Sequence, residues 1–246
     1  ISMSDILTAT RKGLFRLRDG AVHAVGFLGV PVTNVVRDGR DGRLHVAVDH
    51  GHFGCKLHHS DDDGATWVET DAPAYPQPAD GDRIEVDPVR GEPVQHSTSL
   101  IWALEPGHPD DTDAMWCGTI PCGLFRSTDR GESWQLVTSL WDEPSRPNWF
   151  GGGYDHPGIH SISIDPTDPD TVAVGVSCGG TWVSHDRGAS WTVATGMRAT
   201  FLPPESQFDP YTQDPHRIVR CRDEPQTMWT QHHCGMFRSV DGGATW

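Results

Sequence analysis

The sequence is short of positive charge: 19 lysines and arginines face 34 aspartates and glutamates, a formal net charge of −15. A phosphate backbone or an anionic bilayer needs a basic face, so neither nucleic acid nor a membrane is an expected partner. No apolar run approaches the roughly 20 residues that carry a helix across a bilayer. The opening ISMSDILTAT has no basic segment followed by an apolar one, so no secretory leader is read there. The six cysteines include no Cys-x-x-Cys pair. Reduced thiols and a cytoplasmic protein are the expectation. No long window carries the 3.6-residue period of an amphipathic helix.

What is present is turns. The 27 glycines and 19 prolines sit between apolar runs, and ten tryptophans argue against disorder. One string recurs four times: SDDDGATW ends at Trp67, STDRGESW at Trp134, SHDRGASW at Trp191 and SVDGGATW at Trp246. All fit Ser-x-Asp-x-Gly-x-Ser/Thr-Trp, with Asp62, Asp129, Asp186 and Asp241 at the centre. A fixed pattern at intervals of 55 to 67 residues marks a repeat architecture. Such units are too small to bury a core alone.

Residues 158–194 show what one repeat builds. GIHSISID alternates, TVAVGVS is rich in β-branched residues, and TWVS and WTVA complete four short strands separated by turns. The order recurs around the other boxes. Units are expected at 32–70, 97–138, 159–195 and 216–246, with a partial one at 5–28. In each box the Asp is expected to accept backbone N–H groups two residues on, the Gly to supply a positive φ, and the Ser/Thr hydroxyl to bond across the hairpin. These aspartates are read as turn-formers rather than catalytic acids.

The string resembles the Asp box, or bacterial neuraminidase repeat, of sialidase, xyloglucanase, sortilin and photosystem II assembly-factor-like proteins. The resemblance covers roughly 33–246. It implies an all-β fold, a β-propeller of four-stranded antiparallel blades. Six or seven blades are expected in a complete molecule, about five of them represented here. The chain stops where a fourth strand of its last unit should begin, so the sequence is expected to be a C-terminally incomplete fragment; the mass of the protein from its native source tests this.

In that register the Asp boxes lie on one face. The long connections between units and the turns between second and third strands lie on the other, where sialidase-type propellers place their active sites. Eight histidines fall there: His50, His52, His96, His156, His160, His216, His232 and His233. Three readings stay open. The histidines and the nearby Cys122, Cys178 and Cys234 could simply pack the loops. They could bind a divalent metal, Zn for instance, through His50, His52, His232 and His233. Or Asp155, His156 and His160 in GGGYDHPGIH could act as an acid/base set, with Trp149, Tyr154, Arg146, Arg217, His96 and His216 binding substrate. Sialidase relatives imply an Arg-Ile-Pro motif, an arginine triad and a Tyr/Glu nucleophile. Here Arg83-Ile84-Glu85 departs from the motif, and none of the three tyrosines is assignable. The expected function is a glycosidase-like hydrolase for a small polar or carbohydrate substrate. The alternative is a non-catalytic binding or assembly propeller using the same face for a protein partner.

Overall fold

The computed structural model describes residues 5–77, 86, 91–92 and 94–246; Arg83, Ile84 and Glu85 lie outside them. It contains five antiparallel sheets in chain order. The first has three strands, β1 (Ile6–Thr10), β2 (Gly13–Arg18) and β3 (Ala21–Gly26). The second has β4 (Val32–Arg37), β5 (Leu44–Asp49), β6 (Cys55–Ser60) and β7 (Val68–Thr70). The third has β8 (Leu100–Pro106), β9 (Met115–Ile120), β10 (Leu124–Ser127) and β11 (Gln135–Leu136). The fourth has β12 (Ile159–Ile164), β13 (Val172–Val176), β14 (Gly180–Ser184) and β15 (Thr192–Val193). The fifth has β16 (Pro215–Arg220), β17 (Met228–His232) and β18 (Gly235–Ser239).

Each sheet is a meander, because the joining turns are too short for a parallel crossover. The first strands β4, β8, β12 and β16 pack successively against one another. The second strand of each four-stranded sheet also touches the first strand of the sheet that follows, β5 meeting β8, β9 meeting β12 and β13 meeting β16, and in the three-stranded first sheet β1 meets β4 in the same way. The apolar cores accordingly lie between sheets. Val174, Val176 and Trp182 of the fourth sheet close on Trp116 and Leu124 of the third. Ile218 and Met228 of the fifth close on Ala173 and Val183 of the fourth. Strand β13 is buried along its whole length because it has a sheet neighbour on both faces.

The four boxed turns share one hydrogen-bond pattern, which differs in detail from the expected one. The first Ser is buried, and its Oγ accepts the glycine N–H four residues on, at 2.8–2.9 Å in all four turns. The same hydroxyl donates to the Asp carboxylate. That carboxylate then accepts the backbone N–H and the hydroxyl of the Ser/Thr four residues further on, rather than an N–H two residues on. These donors pull Asp62 and Asp186 down to about 2. The glycines take φ of +85° to +99°, a region open to them at no steric cost.

The first strands of the last four sheets carry a second shared feature. Register shifts fall between Val32 and Asn34, Ile101 and Ala103, Ile159 and Ser161, and Pro215 and Arg217. Each is a β-bulge that leaves one residue unpaired near the strand's beginning: Thr33, Trp102, His160 and His216. A bulge re-aims the side chain it carries.

Ser184→Ala removes the acceptor of a buried Gly188 N–H and one donor to Asp186. Urea unfolding should report a loss of about 1–3 kcal/mol. An unchanged midpoint would contradict the part assigned to the turn.

Candidate functional site

Three of the four bulged residues line one cavity of about 440 Å³, at the ends of the strands away from the boxed turns. Trp102, His160 and His216 come from the starts of β8, β12 and β16. Ser177 and His233 follow the ends of β13 and β17, and Gly152, Gly153 and Tyr154 come from the connection that enters β12. The floor is Asp214, 4% exposed and one residue ahead of β16.

The rings meet edge to face. Trp102 lies 5.0 Å from His160 and 5.3 Å from Tyr154, and His216 lies 6.3 Å from His160 and 6.0 Å from His233, centroid to centroid. Asp214 divides its two carboxylate oxygens. Oδ1 accepts from Ser177 Oγ at 3.1 Å and from the Cys178 N–H at 3.2 Å. Oδ2 faces the histidines, 3.1 Å from His216 Nε2 and 3.9 Å from His233 Nδ1. Burial alone would push this carboxyl up. The hydrogen bonds from His216, Ser177 and Cys178 outweigh it and hold the group below the usual carboxylate range. Across the cavity, burial lowers His160 to about 4, and Asp214 offsets only part of that. Both His160 ring nitrogens are shielded from solvent and bond to no side chain; the Pro215 backbone is the polar group that approaches the ring and favours its charged form. His160 is thus a neutral imidazole with an unused lone pair beside an ionised carboxylate.

The cavity takes in Tyr154, His160, His216 and His233 of the candidates and leaves the others outside. Asp155 and His156 are exposed and do not line it. The chain doubles back at Gly151, where a Cβ would collide with the Tyr154 carbonyl, and the residues after Tyr154 turn to solvent. The carboxylate that meets the histidines is therefore Asp214, not Asp155. Trp149 is buried against Trp182, 5.6 Å between ring centroids. Arg146 stacks 3.8 Å over Trp141 and donates to the Trp141 carbonyl. His96 packs on the rings of Tyr75 and Trp141. Arg217 lines a different cavity, of about 640 Å³, at the opposite ends of the first strands. There Glu105 is pushed up to about 7 by burial, which the charges of Arg217 and Arg222 only partly counter.

The expected metal set also comes apart. His50 and His52 are exposed around the 3₁₀ turn Gly51–Phe53, with their rings against Phe53. His232 is 2% exposed; the Asp214 and Cys234 amides each lie 3.0 Å from one of its ring nitrogens, so neither is left for an ion. Among the described residues, the one group of three side chains whose ligand atoms lie within 4.8 Å of one another is Asp214, His216 and His233. Asp214 was missed although its signal was present: Asp-Pro-His at 214–216 sets an acid two residues ahead of a strand-entry histidine. Trp102 carried no such signal, because the alternation of LIWALEP does not reveal a bulge.

No family model matches the chain. The oligoxyloglucan-reducing end-specific xyloglucanase of Emericella nidulans is 33% identical over 107 residues, 41% of this chain and 12% of that protein. The GH74 xyloglucanase of Xanthomonas campestris aligns over all of this chain and 43% of its own, with a TM-score of 0.55 at 18% identity. YCF48 of Cyanidioschyzon merolae aligns over 96% of this chain and 63% of its own, with a TM-score of 0.55 at 13% identity. These neighbours support an all-β, propeller-like architecture of several four-stranded antiparallel sheets. The matched stretch is about an eighth of the curated relative's length.

His45, His160 and His232 all sit near 4, well below the usual histidine value of about 6.5. Below that usual value the unfolded chain binds more protons, so stability falls as pH drops from about 6.5 to 4. Glu105, raised, opposes this between its usual value and about 7, but it is one group against three. Melting in the presence of chelator should give a lower Tm at pH 5 than at pH 7, and His160→Gln should reduce the difference. A Tm that rises on acidification would contradict these assignments.

Proposed function

We propose that the Asp214–His216–His160 cavity binds a small polar or carbohydrate ligand and acts on it as a glycosidase-like hydrolase. The observation that carries this is His160: a neutral imidazole, bonded to no other side chain, facing an anchored carboxylate–histidine pair in a cavity of ligand size. Trp102 and Tyr154 supply aromatic walls of the kind on which a sugar face stacks. Asp214 fixes the His216 ring, while His160 is placed to take a proton from water or from a hydroxyl group. Among the described residues Asp214 is the one carboxylate lining the cavity, so the chemistry would rest on a carboxylate–histidine set rather than on the two facing carboxylates of most glycosidases. The sequence likeness to xyloglucanases makes xyloglucan oligosaccharides the first probes.

The reading of this face as a protein-binding surface is favoured by a different observation. The connections that enter β16 and β12 carry exposed aromatic residues, Phe201, Phe208 and Tyr211 on the first and Phe150 on the second. Exposed aromatics of this kind are enriched at interfaces.

A panel of xyloglucan oligosaccharides and aryl glycosides separates the two. Hydrolysis by the wild type that drops about 100-fold or more in Asp214→Asn and His160→Gln supports the hydrolase. Turnover indifferent to both variants removes it. No turnover, with partner binding abolished by Phe208→Ala, favours the second reading.

A further inference from the structure

We propose that, in the same cavity, Asp214 Oδ2, His216 Nε2 and His233 Nδ1 bind one divalent transition-metal ion, with zinc the best match to the donors. The inference does not depend on the hydrolase reading. A carboxylate oxygen and two imidazole nitrogens are a ligand set used for zinc and for neighbouring first-row metals. Around zinc, bonds of about 2.0–2.2 Å in tetrahedral array set ligand atoms roughly 3.3–3.5 Å apart. Here Oδ2 lies 3.1 Å from His216 Nε2 and 3.9 Å from His233 Nδ1, and one ligand atom from each of the three side chains lies within 4.8 Å of the other two. His233 has the largest adjustment to make and the most freedom to make it, with its side chain 62% exposed.

The surroundings support ligation. Asp214 is held through its other oxygen by Ser177 and the Cys178 amide, so Oδ2 is aimed without further ordering. Gln231 Nε2 lies 3.3 Å from His216 Nδ1. Turning that amide over presents its oxygen to an Nδ1–H, the outer-shell contact that leaves Nε2 free to ligate. Gly152 closes the cradle: a Cβ there would stand 3.3 Å from Asp214 Oδ2 and 3.1 Å from Ser177 Oγ. Three protein ligands leave a coordination position open to water in the cavity that His160 also lines. Two of the ligands are 39% and 62% exposed, which gives the ion a way in.

The test uses chelator-stripped protein titrated with zinc chloride by calorimetry, with cobalt(II) absorption as a second readout. One ion per chain is expected. Affinity should fall at least tenfold in His233→Ala, whose exposed side chain can be removed without unfolding the chain, and likewise in Asp214→Asn. Circular dichroism checks that both remain folded. His50→Ala/His52→Ala should bind like the wild type. No binding by the wild type, or binding unaffected by His233→Ala and Asp214→Asn, overturns the proposal; so does binding lost in His50→Ala/His52→Ala. Because no substrate is present, a failed hydrolysis assay leaves this result intact. Turnover without metal would leave the hydrolase standing if zinc fails to bind.

Discussion

One extra residue near the start of each inner strand determines what this protein presents at its cavity. A regular strand points alternate side chains to opposite faces. At Trp102, His160 and His216 the ladder slips by one, and a side chain that the pleat would commit to the packing between sheets is released instead. The slip is tolerated because the remainder of each strand stays in register with its neighbour, and the cores between sheets stay closed by residues such as Ile159 and Ile218, which are fully or nearly fully buried. Without the bulges the sheets would still stack, but the three rings would not meet.

The second determinant is the anchoring of Asp214. A carboxylate this deeply buried is costly to leave ionised. Ser177 Oγ, the Cys178 amide and His216 together meet that cost, and each comes from a segment that ends at the same rim. His232 fastens the same segment from behind, with its ring against the Asp214 amide, while the His233 amide lies 3.3 Å from the Asp214 carbonyl. Two adjacent histidines in one turn thus have different duties: His232 is structural and buried, and His233 is open to solvent.

Much of the architecture was legible because it repeats. The boxed turns announced their own spacing, and the β-branched run at 172–176 announced a central strand. The concentration of histidines at strand starts and at the turns after second strands identified the rim where His160, His216 and His233 meet. What could not be read was direction. Asp155 and Asp214 both precede strand-entry histidines, and only the reversal at Gly151 turns the first away. His50-x-His52 is the more familiar ligand spacing, but its residues are exposed, whereas Asp214 and His216, two residues apart, converge with His233 from the turn after β17. Arg217 follows a bulged residue, so its side chain takes the opposite sense along the strand and serves the other cavity.

The central claim is that His160 and His216 report to one buried carboxylate. Nitrogen-15 spectra of the histidine rings in the wild type and in Asp214→Asn test it most directly. The account predicts that the His160, His216 and His232 ring resonances move together, while those of His45 and His108, which sit in other parts of the fold, stay put. Unmoved His160 and His216 resonances, or changes appearing instead at His50 and His52, would contradict it.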